Sequence, residues 1–116
     1  MSWFNRLINK FPNKRTFKFL KQRMTRGFDD SETWSLDHSL AKTILPRLKR
    51  FQIVRGGHPI DLTEEKWNWI IDEMIFGFEF YAEGKQWDYG PNQEKESERA
   101  GKALEMFGKY YGNLWW

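Results

Sequence analysis

The chain contains no cysteine. That absence removes disulfide scaffolds and every thiolate metal site, from zinc fingers to iron–sulfur clusters. Long apolar runs are missing too: no stretch approaches the ~18 uninterrupted apolar residues of a membrane span, so no transmembrane segment is expected. The opening Met1-Ser2-Trp3-Phe4-Asn5-Arg6 has neither the apolar core nor the small-residue cleavage site of a secretory signal. These absences fit an intracellular protein. Familiar catalytic signatures are also lacking. With two histidines, His38 and His58, there is no HExxH, no Walker loop, no GxSxG and no glycine-rich dinucleotide fingerprint. Neither a cofactor nor a metal is expected.

The most informative absence is that of acid at the start of the chain. Residues 1–28 hold Arg6, Lys10, Lys14, Arg15, Lys18, Lys21, Arg23 and Arg26 and no Asp or Glu, a local charge of +8. The rest carries 11 basic and all 16 acidic side chains, a balance of −5 that the formal net charge of +3 conceals. The chain is a dipole along its sequence.

What is present is aromatic. Aromatic residues make up 18% of the 116 positions, with seven Trp and ten Phe, each able to bury roughly 150–250 Å². A core can therefore be built from few side chains, and the length suits one domain. A mean hydropathy of −0.80 with 30% charged residues implies a well-solvated surface.

The apolar spacing is helical throughout. Trp3, Phe4, Leu7, Ile8 and Phe11 form one stripe on a short helix that Pro12 ends. A second helix is expected from Lys14 to about Thr25, with Phe17, Leu20 and Met24 on one face, closed by Gly27. Asp29-Asp30-Ser31-Glu32 offers caps and first-turn acids to a third helix. Its core face reads Leu36, Leu40, Ile44 and Leu48, widened by Trp34, Ala41, Leu45 and Phe51, with Pro46 inside the pattern and a kink or brief break therefore expected near Ile44. Gln52–Leu62 reads as a connection on account of Gly56, Gly57 and Pro59.

Thr63 then caps a helix with Glu64 and Glu65 in its first turn and Leu62 stapled against Trp67. This is the expected central element, carrying Trp67, Ile70, Ile71, Met74, Ile75, Phe78 and Ala82 and ending at Gly84. A polar loop leads to a last helix, Gln93 to Tyr111, with Ala100, Ala103, Leu104, Phe107 and Tyr111 on its face. The expected fold is all-α, a compact single-domain bundle of four to five helices: a basic arm over 1–28 and a helical core over 29–116. The Trp34–Phe51 and Trp67–Ala82 helices form its central pair.

Three functional constellations stand out. The first is nucleic-acid binding: the Lys and Arg residues of the arm are interleaved with Trp3, Phe4, Phe11, Phe17 and Phe19, which sets phosphate contacts beside stacking surfaces. Lys42, Arg47, Lys49, Arg50 and Arg55 add a second acid-free stretch. The alternative is a solvated basic face whose aromatic residues turn into the core. About four to six phosphate contacts would give a salt slope near −3 to −5. The second is the amphipathic opening stripe, which suits its own domain, a partner's groove or a membrane interface. The third is a carboxylate metal site assembled from Asp37, Asp72, Glu73, Glu79 and Glu83 in a bundle interior; Asp37 and His38 are adjacent and diverge by about 100° on a helix, so they do not share a metal.

The candidate binding residues are Lys14, Arg15, Lys18, Lys21, Arg23, Arg26, Trp34 and Asp37. Arg23 and Arg26 are expected near Asp37, with Trp34 packed over the helix junction or serving as a partner-binding hot spot.

The stretch from Arg23 to Leu48, RMTRGFDDSETWSLDHSLAKTILPRL, resembles a group of small proteins encoded by tailed bacteriophages. Glu65-Lys66-Trp67 followed by Ile71, Met74 and Phe78, and the run from Leu104 through Phe107, Tyr110 and Tyr111 to Trp115, fit the same pattern. The group has no assigned activity. The resemblance implies a phage-encoded protein in the host cytoplasm, and moves the expectation from enzyme to binding module. The leading reading is a non-enzymatic accessory protein whose partner is a host or phage protein or nucleic acid. The runner-up is a nucleic-acid-binding protein using the arm, and a small carboxylate metalloenzyme stands third.

Overall fold

The computed structural model describes residues 14–116, and the opening stripe from Trp3 to Phe11 lies outside them. The protein is all-α, with four α-helices and no strand among the described residues: α1 (Lys14–Arg26), α2 (Leu36–Val54), α3 (Glu64–Ala82) and α4 (Gln93–Tyr110). Short 3₁₀ turns cover Asp30–Thr33, Lys85–Trp87 and Tyr111–Asn113. The chain divides into two units, the first closing at Leu36 and the second spanning Asp37–Trp116. The acidic turn after α1 thus belongs with α1 and not with the helical core.

In the first unit, α1 ends as its chemistry dictates. Gly27 adopts φ +87°, a left-handed conformation that side-chain-bearing residues rarely accept, and its N–H bonds back to Arg23. Asp29 then caps a helix, but not the expected one. Its carboxylate accepts from the Ser31 N–H at 2.8 Å while Glu32 reaches back to the Asp29 N–H at 2.7 Å. This capping box closes the 3₁₀ turn Asp30–Thr33, and α2 starts only at Leu36. The same side chains serve either helix type, because both begin with unbonded N–H groups.

The second unit is built around α3. Trp67, Ile70, Ile71, Met74 and Phe80 are almost wholly removed from water, joined by Phe78, Ala41 and Leu48. Thr63 caps this helix through Lys66 N–H, and Gly84 at φ +68° follows its end. The tightest helix pair is α3 with α4, where the apolar stripes had pointed to α2 with α3. Gly77 is the reason: a Cβ there would stand 2.6 Å from Ala103 Cβ and 3.3 Å from the Ala100 carbonyl oxygen. Three small residues let the two backbones approach, whereas α2 packs through Leu48, Ile44 and Phe51 and stands further off. Phe78 and Phe107 meet edge to face at 4.9 Å, and Trp67 and Tyr110 at 5.6 Å, extending the same seam.

Several expectations need correction. α2 runs unbroken through Pro46. Pro46 and Lys42 both face solvent, so the Lys42 carbonyl that Pro46 cannot bond is open to water. α2 also continues to Val54, shortening the connection before α3. Leu40 is 49% exposed, Leu104 38% and Tyr111 67%, so the assigned faces are wider than the contact they make.

Candidate cation–aromatic site on α1

In the first unit α1 presents its cations to solvent, and the structure sorts them by partner. Arg23 Nε lies 3.3 Å from the Asp29 carboxylate. Arg26 pairs with Asp30 at 2.6 Å and lies over the Phe28 ring at 4.4 Å. Gln22 completes the clamp, accepting from the Asp30 N–H at 2.8 Å and donating to its carboxylate at 2.9 Å. Both acids are held below their usual range. For Asp29 the main cause is the hydroxyl of Ser31, and for Asp30 the hydrogen bond from Arg26, followed by Gln22.

Arg15, Lys18 and Lys21 are exposed and make no ion pair among the described residues. Instead the Arg15 guanidinium stands 4.1 Å over the Trp34 ring and 5.4 Å from that of Phe19. Phe19 meets Trp34 edge-on at 5.6 Å. Trp34 remains 61% exposed, and Arg15, Lys18, Phe19, Asp30 and Trp34 line one shallow concavity. An indole face with a guanidinium fixed on it, beside two exposed lysines on the same helix that make no ion pair among the described residues, has the chemistry to meet a phosphate-bearing or aromatic ligand.

Of the eight expected site residues, Arg15, Lys18 and Trp34 come together. Lys21 lies on the same helix, and Arg23 and Arg26 are engaged with Asp29 and Asp30. Lys14 opens α1, but its side chain lies outside the described residues. Asp37 belongs to the second unit, where it accepts from Gln86 Nε2 at 2.8 Å.

Against protein-family models, curated proteins and solved structures, the chain finds no match.

The carboxylates considered for a metal are each engaged by a side chain: Asp72 by Gln52, Glu73 by Arg99, Glu79 by Lys49 and Glu83 by Lys85. Among the described residues no three His, Asp or Glu side chains converge as a metal site. His38 Nδ1 faces the Tyr81 carbonyl at 3.4 Å and His58 Nδ1 faces the Pro59 carbonyl at 2.9 Å. No described helix is long and apolar enough to cross a membrane.

Sequence reasoning missed Arg15 as the partner of Trp34. The two are far apart in sequence, and only the turn Asp30–Thr33 brings the indole back over α1. It also missed Trp115 and Trp116, both 75% exposed.

Proposed function

We propose that this is a phage-encoded accessory protein of the infected cell's cytoplasm that works by binding, and that α1 grips nucleic acid through its phosphates. The phage origin and the location rest on the resemblance carried by Arg23–Leu48 and the later motifs. The binding reading rests on one observation: Arg15 is held over exposed Trp34, and Lys18 and Lys21, on the same helix, make no ion pair among the described residues, although Lys18 also acts electrostatically on Asp30.

Phosphate oxygens supply what these cations lack, and nucleobases supply a face for the indole. Asp29 and Asp30 occupy Arg23 and Arg26, so the contact number falls below that suggested by counting charges. Three neutralised phosphates give a slope of log K against log salt of about −2 to −3.

The test is a titration of fluorescent single- and double-stranded oligonucleotides at several salt concentrations. It compares the intact protein with the triple variant Arg15→Ala, Lys18→Ala, Lys21→Ala. The expected outcome is weaker binding by the variant and a shallower salt dependence. Equal affinities, or no binding at low salt, overturn the reading. The second reading, a host or phage protein partner, is favoured by the Arg–Trp pairing, since these two residues dominate protein hot spots. Under it, a partner recovered with tagged protein survives nuclease treatment and high salt, and Trp34→Ala abolishes its recovery.

A further inference from the structure

A second cation–aromatic arrangement lies wholly in the second unit. Trp116 lines a concavity with Arg47, Arg50 and Phe51 of α2, and a neighbouring one with His58, Pro59 and Trp115. One indole therefore stands between two hollows. Trp115 and Trp116 are each 75% exposed and Ile60 beside them is fully exposed, an apolar surface that a solvated domain does not need for its own packing.

The cations around it can be sorted as those of α1 were. Of the five in the acid-free stretch from His38 to Ile60, Lys49 is paired with Glu79 at 3.0 Å. Arg55 is buried against Glu64 at 2.6 Å. Arg47 donates one N–H to the Thr43 carbonyl at 2.7 Å, which leaves most of its fork free. Arg50 makes no ion pair among the described residues. Arg47 and Arg50 stand three residues apart on α2 and so share a face. That is the face that meets Trp116, and no Asp or Glu lines either hollow.

Guanidinium forks match phosphate oxygens in pairs, and an indole offers a stacking surface to any base that is not already stacked in a duplex. The geometry points to a site for single-stranded nucleic acid, in which Trp116, with Trp115 beside it, stacks bases while Arg47 and Arg50 hold the flanking phosphates. The ligand class rests on the nucleic-acid reading given to α1; the site itself rests on the second unit alone. An acidic peptide would use the arginines and leave the indoles without their role.

The experiment measures binding of the full chain to a labelled oligothymidylate, to an abasic strand of the same length, to a duplex and to polyglutamate. The intact protein should prefer oligothymidylate over the abasic strand by about tenfold, within what one stacked base contributes. Trp115→Ala with Trp116→Ala should remove most of that preference. Trp116→Phe, which keeps a ring, should retain it. Arg47→Gln with Arg50→Gln should weaken both strands alike. Lys18→Ala with Lys21→Ala should weaken both strands and leave the tenfold preference in place.

The outcomes separate the two sites. If the α1 variants bind like the intact protein while base preference persists and depends on the two indoles, the α1 reading falls and this one stands. Equal binding of basic and abasic strands by the intact protein overturns the inference. So does a preference that, in a Trp34→Ala background, survives loss of both indoles in a variant whose circular dichroism shows it folded. In the Lys18→Ala, Lys21→Ala background, polyglutamate or duplex binding as tight as that of oligothymidylate overturns it as well, polyglutamate in favour of an acidic protein partner.

Discussion

In the first unit the described residue most removed from water is an acid, Asp29 at 4% exposure; in the second it is a set of apolar side chains, with Ile71 and Met74 at 0%. Among the described residues of the first unit, the turn after α1 is held by directed polar bonds: a capping box, two Arg–Asp pairs and a glutamine clamp. Phe19, Leu20 and Trp34 stay partly or largely in water. The second takes its shape from area and fit, with Trp67, Ile70, Met74 and Phe78 closing over Ala41 and Leu48. Hydrogen bonds hold the turn after α1, and Trp34 beside it is left available to a ligand.

The comparison breaks most visibly at Met74. Met74→Ala should cost the second unit about 2–5 kcal/mol, read from a denaturation curve of its helices. Fluorescence of Trp34 should not follow the same transition. If it does, the two units melt as one and the contrast between them is lost.

Gly77 gives a smaller effect with an internal control. Alanine is worth about 1 kcal/mol more than glycine in a helix interior, yet Gly77→Ala must push α3 and α4 apart. A net loss of about 1–3 kcal/mol is expected. Gly101 on α4 has nothing within 4 Å of its missing Cβ, so Gly101→Ala should stabilise by roughly 0.5–1 kcal/mol. Equal effects at the two glycines would show that close approach does not hold the second unit together.

Acid provides the subtlest test, because it acts on the carboxylate bonds that hold the turn after α1 and not on the apolar core of the second unit. Asp29 and Asp30 are both lowered from an ordinary value of 3.8. A carboxylate with a depressed folded pKa stabilises in full above its unfolded value, and that contribution disappears as pH falls through the lower folded one. Below pH 3.8 the amide signals of Asp30, Ser31 and Glu32 should therefore broaden and exchange before those of Ile71 and Met74. In the second unit Glu64 is lowered as well, by Arg55, but the core around α3 contains no carboxylate. Simultaneous loss of both sets of signals would count against the contrast.

What the sequence discloses and what it hides follow from how local each cause is. Thr63, Gly27 and Gly84 were legible as helix boundaries because a cap or a left-handed turn is settled within a few residues. The α3 stripe was legible because its period is regular. Gly77 was not: a glycine inside an apolar stripe looks neutral until a second helix is known to press against it. Leu40 and Leu104 were placed on the correct helices, but periodicity says which way a face points and not how far a neighbour covers it. At the candidate site the cations and Trp34 were legible as residue types, while their pairing was not. Arg23 and Arg26 were expected with Asp37, and the nearer Asp29 and Asp30 engage them instead. The surroundings of Trp116 had no local signal, since Arg47 and Arg50 reach it only through the packing of α2.

Arg55 joins the end of α2 to the start of α3. Its side chain is 6% exposed and donates to Glu64, Asn68 and the Gly57 carbonyl, across a connection that has no regular structure of its own. A protease that recognises basic side chains must draw the guanidinium into its own pocket and straighten the chain on either side. While Arg55 holds its three partners neither is possible, although Gly56 and Gly57 follow it and would otherwise make this an easy place to cut. The peptide bond between Arg55 and Gly56 is thus closed to digestion by occupancy of its own side chain, and its cleavage would time the opening of the α2–α3 corner and not the mobility of the loop.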